Sequence, residues 1–450
     1  MREHRLFKLS WVLTTFDRAS IYAISGRLIS ALSGIAILVL MATVLSRPLQ
    51  GYFVTFFSVA TIQLLFDLGL STVMINFVAH EWTLANREIG DTPISRYAGL
   101  AGLAKFAFRW YGVAALAMFF FFQPLGWYLF ADAHNPHVWP APWLALSLAV
   151  SMDLSLFGAW TILEGCNEVR SVYGYRAIRT AGLGLGTALG LCLGAGLWSV
   201  AVGYLVALPA ALYFLLGKHR KFLAKLIKTP TVEGVVWHRE LLPMQWQTWI
   251  TALANYASVW AITPITLKIL GPVDAGRVGL TWMAINAVSG IAFIVVIVKA
   301  PTFGSLVARR AYRELDRLAL KCGGTSVLLS LLGCGFLGVA VFVINVLRLP
   351  YASRVLPLEP SIILLVTAVI GQTVAPQLTY LRAFKREPYP AIQIFFAVLV
   401  VASVVVGSRF YGMMGIALGY FGATVLFFVP VATYSTLHFR RLLTASTASR

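Results

Sequence analysis

Charge is scarce in this chain. Asp, Glu, Lys and Arg make up 12% of its 450 residues, and only 17 residues are acidic. Soluble domains carry roughly 25% charged residues. With 59% hydrophobic residues and a mean hydropathy of +0.80, the scarcity excludes a soluble globular fold and leaves a polytopic membrane protein. Cysteine is nearly missing as well. Cys166, Cys192, Cys322 and Cys334 show neither CxxC nor Cys/His spacing, so neither a disulfide framework nor a metal site is indicated. No P-loop, DxD or Ser/His/Asp arrangement occurs, so a cytoplasmic enzyme reaction has no motif to rest on and no cofactor is implied. A cleavable signal is not expected either, because the first apolar run, about 21–45, is longer than a signal h-region and reads as a retained anchor.

What is present is a series of apolar runs of membrane-crossing length. Spans are expected near 21–45, 52–79, 105–131, 142–164, 176–196 and 198–217, then near 244–270, 277–300, 323–347, 357–380, 389–407 and 412–436. The reading is an all-α polytopic membrane protein with twelve transmembrane helices. An even number puts both termini on one side. All but seven of the 36 Lys and Arg then fall on that side, the exceptions being Arg47, Lys268, Arg277, Arg348, Arg354, Arg409 and, inside a span, Arg27. By the positive-inside rule both termini are expected in the cytoplasm, and the formal net charge of +19 is explained without nucleic acid.

The loops give the domain plan. Outer loops are short, the longest being Ala131 to Pro142, so no extracytoplasmic domain is expected. The longest inner loop separates six spans from six, giving an N-terminal lobe 1–222, a basic linker 223–243 and a C-terminal lobe 244–450. The stretch KHRKFLAKLIK, 218–228, has amphipathic spacing suited to the inner leaflet, or is an ordinary basic loop. A shift of 225 residues lays Leu45-Ser46 on Leu270-Gly271 and Gly51 on Gly276, repeating a helix, Gly/Pro turn, helix pattern. Six spans between copies make the repeats parallel. Two six-helix lobes around a central cavity is the plan such repeats make.

Polar residues inside the spans fall on single helical faces. Arg27 shares a face with Ser20, Ala23, Ala31 and Gly34; Gln63, Asp67 and Ser71 follow at intervals of four. Asp153, Trp160, Glu164 and Asn167 line a third face, Thr248, Thr251, Asn255, Ser258 and Thr266 a fourth, and Gln372, Pro376 and Thr379 a fifth. For each, helix–helix hydrogen bonding or an ion pair such as Arg27 with Asp67 competes with a wet cavity. An acid such as Asp67 costs on the order of 3 kcal/mol in a span, so it should face protein or water. Cations at the cytoplasmic ends, Lys105, Arg109, Arg176, Arg179 and Lys299, suit an anionic ligand, or simply anchor the spans. Trp110, Tyr111, Trp127, Tyr128, Trp139 and Trp143 sit at span ends and read mostly as an interfacial belt.

The stretch LSRPLQGYFVTFFSVATIQLLFDLGLSTVMINFVAHE, Leu45 to Glu81, with its Asp67-Leu68-Gly69-Leu70 element, resembles the N-terminal signature of Wzx-type polysaccharide flippases, members of the multidrug/oligosaccharidyl-lipid/polysaccharide (MOP, MATE-like) superfamily. The turn departs from the family pattern at Arg47 and Gln50, which carry nothing over. The resemblance implies transfer of an undecaprenyl-pyrophosphate-linked oligosaccharide between leaflets of the bacterial inner membrane by alternating access. The substrate-binding candidates are then Arg27, with Arg109 and Arg179 behind it, and Asn255 and Gln372. Asp67, Asp153 and Glu164 become candidates for coupling to a proton or sodium gradient, or for salt bridges. Membrane lipids, a polysaccharide polymerase and chain-length proteins are the implied partners, with no nucleic acid. The alternatives are a MATE-type drug/cation antiporter, which would want an acidic and apolar cavity, and a membrane glycan polymerase or ligase, which would want a large outer loop.

Overall fold

The computed structural model describes residues 18–87, 97–133, 135–231, 242–384 and 390–448. Every regular element among them is a helix. Among the described residues eight helices are long and apolar enough to cross a membrane, or nine if the bent pair Thr248–Val259 and Ile262–Leu270 forms one span. The count falls below the expected twelve for physical reasons. Helix Val169–Cys192 carries Arg170, Arg176 and Arg179, the described apolar part of the first helix is only Leu32–Val44, and the apolar stretch Pro390–Leu443 doubles back at Gly412, whose φ is 56°.

By its own contacts the chain forms two compact units. Met1–Ile37 and Ile62–Trp249 belong to the first, Leu38–Thr61 and Ile250–Arg450 to the second.

The same device packs each unit. Apolar side chains gain little by leaving lipid for protein, so helices associate where small residues let backbones approach. In the first unit Val169–Cys192 lies along Trp198–Leu212 through Gly182 on Ala207, Gly186 on Gly203 and Gly190 on Ser199; a Cβ on Gly190 would stand 2.9 Å from the Ser199 Cα. In the second unit the two limbs around Gly412 meet through Gly407 on Gly415 and Ser403 on Gly419. Aromatic and aliphatic residues fill the rest. Trp160 stacks on Tyr175 at 3.7 Å in the first unit, and Trp282, Ile285, Leu364, Val400 and Ile416 share a core in the second.

The basic stretch at 218–228 does form a helix, Arg220–Lys228. Its apolar face, however, packs on protein: Leu223 and Leu226 are buried, and Phe222 meets Trp82 edge-on. Lys105 donates to the Thr229 carbonyl at 2.8 Å, satisfying the helix end. Part of the apolar surface is therefore covered by the chain itself, while Ile227 stays exposed.

Within the second unit, the two glycines that the repeat aligns lie against each other. Helix Arg47–Ala60 starts with Pro at its first turn, as does Pro272–Ala308. A Cβ on Gly51 would fall 1.8 Å from the Pro272 carbonyl oxygen, and one on Gly276 would fall 3.0 Å from the Gly51 nitrogen. Gln50, fully buried, donates to the Gly276 and Arg354 carbonyls at 2.9 and 3.0 Å, and Arg354 donates to the Leu45 carbonyl. Gly51→Ala is expected to destabilise the protein by about 1–3 kcal/mol through overpacking. Gly112→Ala, which meets nothing within 4 Å, should be neutral or mildly stabilising. Thermal unfolding of the two variants in detergent checks the contrast.

Candidate functional site

Several expected spans are broken, and the breaks coincide with the polar residues. The run expected at 52–79 divides into Arg47–Ala60, Gln63–Phe66 and Leu70–Arg87, with Leu68 and Gly69 at φ of 50° and 71°. Gly69 suits that left-handed conformation, and a Cβ there would also stand 2.6 Å from Thr248. The spans expected at 142–164, 244–270 and 357–380 break at Leu156, at Trp260-Ala261 and at Gln372-Thr373. A break frees backbone groups that lipid cannot satisfy, so side chains must. The Trp249 indole donates to the Leu65 carbonyl at 3.1 Å, Trp282 to Val259 at 2.8 Å and Ser58 to Trp260 at 2.5 Å. Polar side chains placed at breaks serve the backbone first.

In the first unit the break at Asp67 opens onto a buried polar cluster. Asp153, in the last turn of Pro140–Ser155, is 2% exposed. Arg179 closes a two-pronged ion pair on it, Nε to Oδ1 at 2.8 Å and Nη2 to Oδ2, while Gln63 donates to Oδ2 at 2.7 Å. The fork of a guanidinium matches a carboxylate, so this pair is neutral as a whole and held in one geometry. Asp67 is different. Its Oδ1 accepts from the Tyr111 hydroxyl at 2.5 Å, and its Oδ2 from the Ser71 hydroxyl at 2.8 Å, with the Ser71 amide 3.3 Å from Oδ1. All three donors are neutral. Among the described residues it is a buried acid with no ion-paired cation.

No family model and no curated protein matches the sequence. Solved structures do. An inward-facing multidrug-resistance MATE family transporter of the MOP superfamily matches with a TM-score of 0.69 at 12% identity, over 94% of this chain and 98% of the other. An outward-facing MATE structure gives 0.59 at 13%, over 94% and 96%. A MOP superfamily transporter from Pyrococcus furiosus, described by a reversed polarity of its binding pocket, gives 0.60 at 14%, over 95% of each chain.

The fold is that of the MATE transporters.

In this MATE fold the expected site residues separate. Asp153 is held by Arg179 and Gln63, whereas Asp67 is met by Tyr111 and Ser71, so the two acids belong to separate hydrogen-bonded groups. Glu164 is paired with Arg176 at 2.6 Å, and Arg176 also lies 5.3 Å from the centre of the Tyr173 ring. Gln372 is buried and donates to Ser326 Oγ at 2.9 Å and toward the Ser289 carbonyl at 3.4 Å, a helix–helix tie within the second unit. Asn255 is exposed on helix Leu242–Val259. Arg109 is exposed on the helix face that also presents Val113, Leu116 and Phe120, 61–67% exposed. Lys299 is exposed. The Arg27 side chain, and with it the expected pairing to Asp67, lies outside the described residues.

One buried contact was not expected from the sequence. Tyr111, expected in the interfacial belt, is fully buried and is the short donor to Asp67; Trp139 and Trp143 are buried too, whereas Trp127 and Tyr128, 64% and 62% exposed, are placed as a belt residue would be. The signal for Tyr111 was its distance into the helix Ala98–Phe130, thirteen residues past its start. Breaking a buried pair leaves a lone charge and costs about 3–5 kcal/mol, whereas removing both partners costs far less. Arg179→Gln is expected to lower the melting temperature sharply and the double variant Asp153→Asn/Arg179→Gln to recover much of it. Equal loss in both would contradict the pairing.

Proposed function

We propose that this chain is an ion-coupled exporter that works by alternating access, as a MATE-type drug/cation antiporter does, with Asp67 as the coupling acid. The observation that carries the reading is that acid: buried, at a break in a membrane-spanning run, and met, among the described residues, by neutral donors. Such a carboxylate is neutralised by taking up a proton or a sodium ion, and the neutral and charged forms favour different conformations of the site around it. The Asp153–Arg179 pair next to it is a fixed support, neutral throughout the cycle. The moving bodies in this reading are the lobes 1–222 and 244–450 joined by 223–243, with both termini in the cytoplasm of a bacterial cell whose inner membrane the chain crosses. The amphiphilic organic cations that such antiporters carry would meet Asp67 as a competitor of the coupling ion.

The second reading is a flippase for undecaprenyl-pyrophosphate-linked oligosaccharide. The resemblance over Leu45 to Glu81 favours it. Against it stands Arg179, nominated for the anion but already paired with Asp153. Both readings are transport and neither is an enzyme reaction.

Expression in a pump-deficient bacterial strain separates them. The antiporter reading expects raised tolerance to cationic drugs that collapses when the proton and sodium gradients are dissipated, and that is lost in Asp67→Asn at normal protein level. Deletion of the gene in its own host is expected to leave lipid-linked oligosaccharides undisturbed. Accumulation of complete repeat units on the inner face, without any drug phenotype, would overturn the antiporter reading in favour of the flippase. Tyr111→Phe, which removes the hydroxyl donor to Asp67, is expected to keep the fold and to shift the pH at which export is half-maximal; an unshifted profile would count against Asp67 as the coupling group.

A further inference from the structure

The first unit holds a second polar site, which takes in Lys218 from the start of the basic stretch 218–228. A cavity of about 660 Å³ lies between the first helix, the N-terminal turns of Val169–Cys192 and the end of the sixth expected span. That volume is in the range of ligand pockets, roughly 300–1,000 Å³. Its walls are of two kinds. At one end stand Arg170, Lys218, Ser171 and Glu168; at the other are Ile29, Ile178, Phe214 and the alanines beside them.

The polar end is organised. Lys218 Nζ donates to Ser171 Oγ at 2.6 Å, and Ser171 Oγ in turn to Glu168 Oε2 at 3.0 Å. This chain leaves Lys218 two further donors directed by the same ammonium group. Among the described residues Arg170 has no ion-pair partner. Two cations against one acid give the cavity a net positive end, beside the N-terminus of a 24-residue helix. The wall that carries Lys218 is also irregular. Residues Tyr213–Lys218 form a π-helical turn, which widens the helix where Phe214 and Lys218 line the cavity; such turns recur at functional sites.

We propose that this cavity binds a phosphate-bearing amphiphile, with the phosphate on Arg170 and Lys218 and the apolar part against Ile29, Ile178 and Phe214. A planar guanidinium and a mobile ammonium together supply what a phosphate group accepts. The apolar end supplies what a hydrocarbon chain needs, and would be wasted on a free ion. Glu168 opposes the anion and sets the affinity below what the two cations alone would give. Its lining includes none of Asp67, Asp153 and Arg179, so it does not rest on which cargo the transporter carries.

The test titrates the purified full-length protein in detergent by calorimetry, with inorganic pyrophosphate and, separately, with a short-chain phosphatidic acid. Arg170→Gln and Lys218→Gln are each expected to weaken binding about tenfold, the loss of one charge-assisted contact. Glu168→Gln is expected to strengthen it several-fold, an effect in the opposite sense that a damaged fold cannot produce. Binding of phosphatidic acid alone identifies a lipid headgroup as the source of the phosphate, and binding of both probes with these shifts identifies the phosphate group itself. Absence of binding by either probe, or binding that Arg170→Gln and Lys218→Gln leave unchanged, overturns the proposal.

Discussion

A carboxylate inside a membrane protein must be compensated where it stands, and two acids of the first unit meet that constraint in opposite ways. Asp153 is closed off by the Arg179 fork and Gln63, a neutral and rigid unit that links residues 63, 153 and 179 from three separate helices. Replacing such a pair by apolar residues is often neutral for stability, so its presence is weak evidence for stabilisation as such. What it does supply is a fixed position for Gln63, and so for the short helix Gln63–Phe66 that leads into Asp67. Asp67, four residues on, is left with Tyr111 and Ser71. One acid is locked so that the other is presented in a defined place.

The helix breaks follow from the same constraint. Backbone groups released at 260–261 and near 65–69 are taken up by Trp282, Ser58 and Trp249, so the breaks are held by specific donors instead of being loose. Gln372 sits at the break in its own span and ties it to Ser326. The polar stripes are thus largely the means by which interrupted helices survive in lipid. At Asp67, among the described residues, the hydrogen bonds come from neutral groups and not from a paired cation.

The all-helical membrane fold was legible because it depends on run length and on the near absence of charge, both of which a linear sequence displays. The closeness of the two repeat turns was legible for a similar reason: Gly51 and Gly276 are small because backbones meet there, and small residues at equal offsets can be read. The site was harder. Asp67 was singled out by its cost, but whether Arg179 serves a ligand or Asp153 depends on a distance between residues 26 positions apart, and side-chain direction in a span is not written in composition. Tyr111 was misplaced because an aromatic near a span end has the same sequence appearance whether it faces the interface or the interior. The Arg170/Lys218 cavity was hidden by a π-helical turn that no periodicity announces.

The central claim is that Asp67 alone changes its ionisation or ion contact during transport while Asp153 keeps its charge and its partner. Infrared difference spectroscopy of the purified protein, between ion-saturated and ion-depleted states, reads carboxyl groups directly. The account predicts one carboxyl band that changes between the states, survives in Asp153→Asn/Arg179→Gln and disappears in Asp67→Asn. A difference spectrum with no carboxyl change, or one that persists in Asp67→Asn, would contradict it.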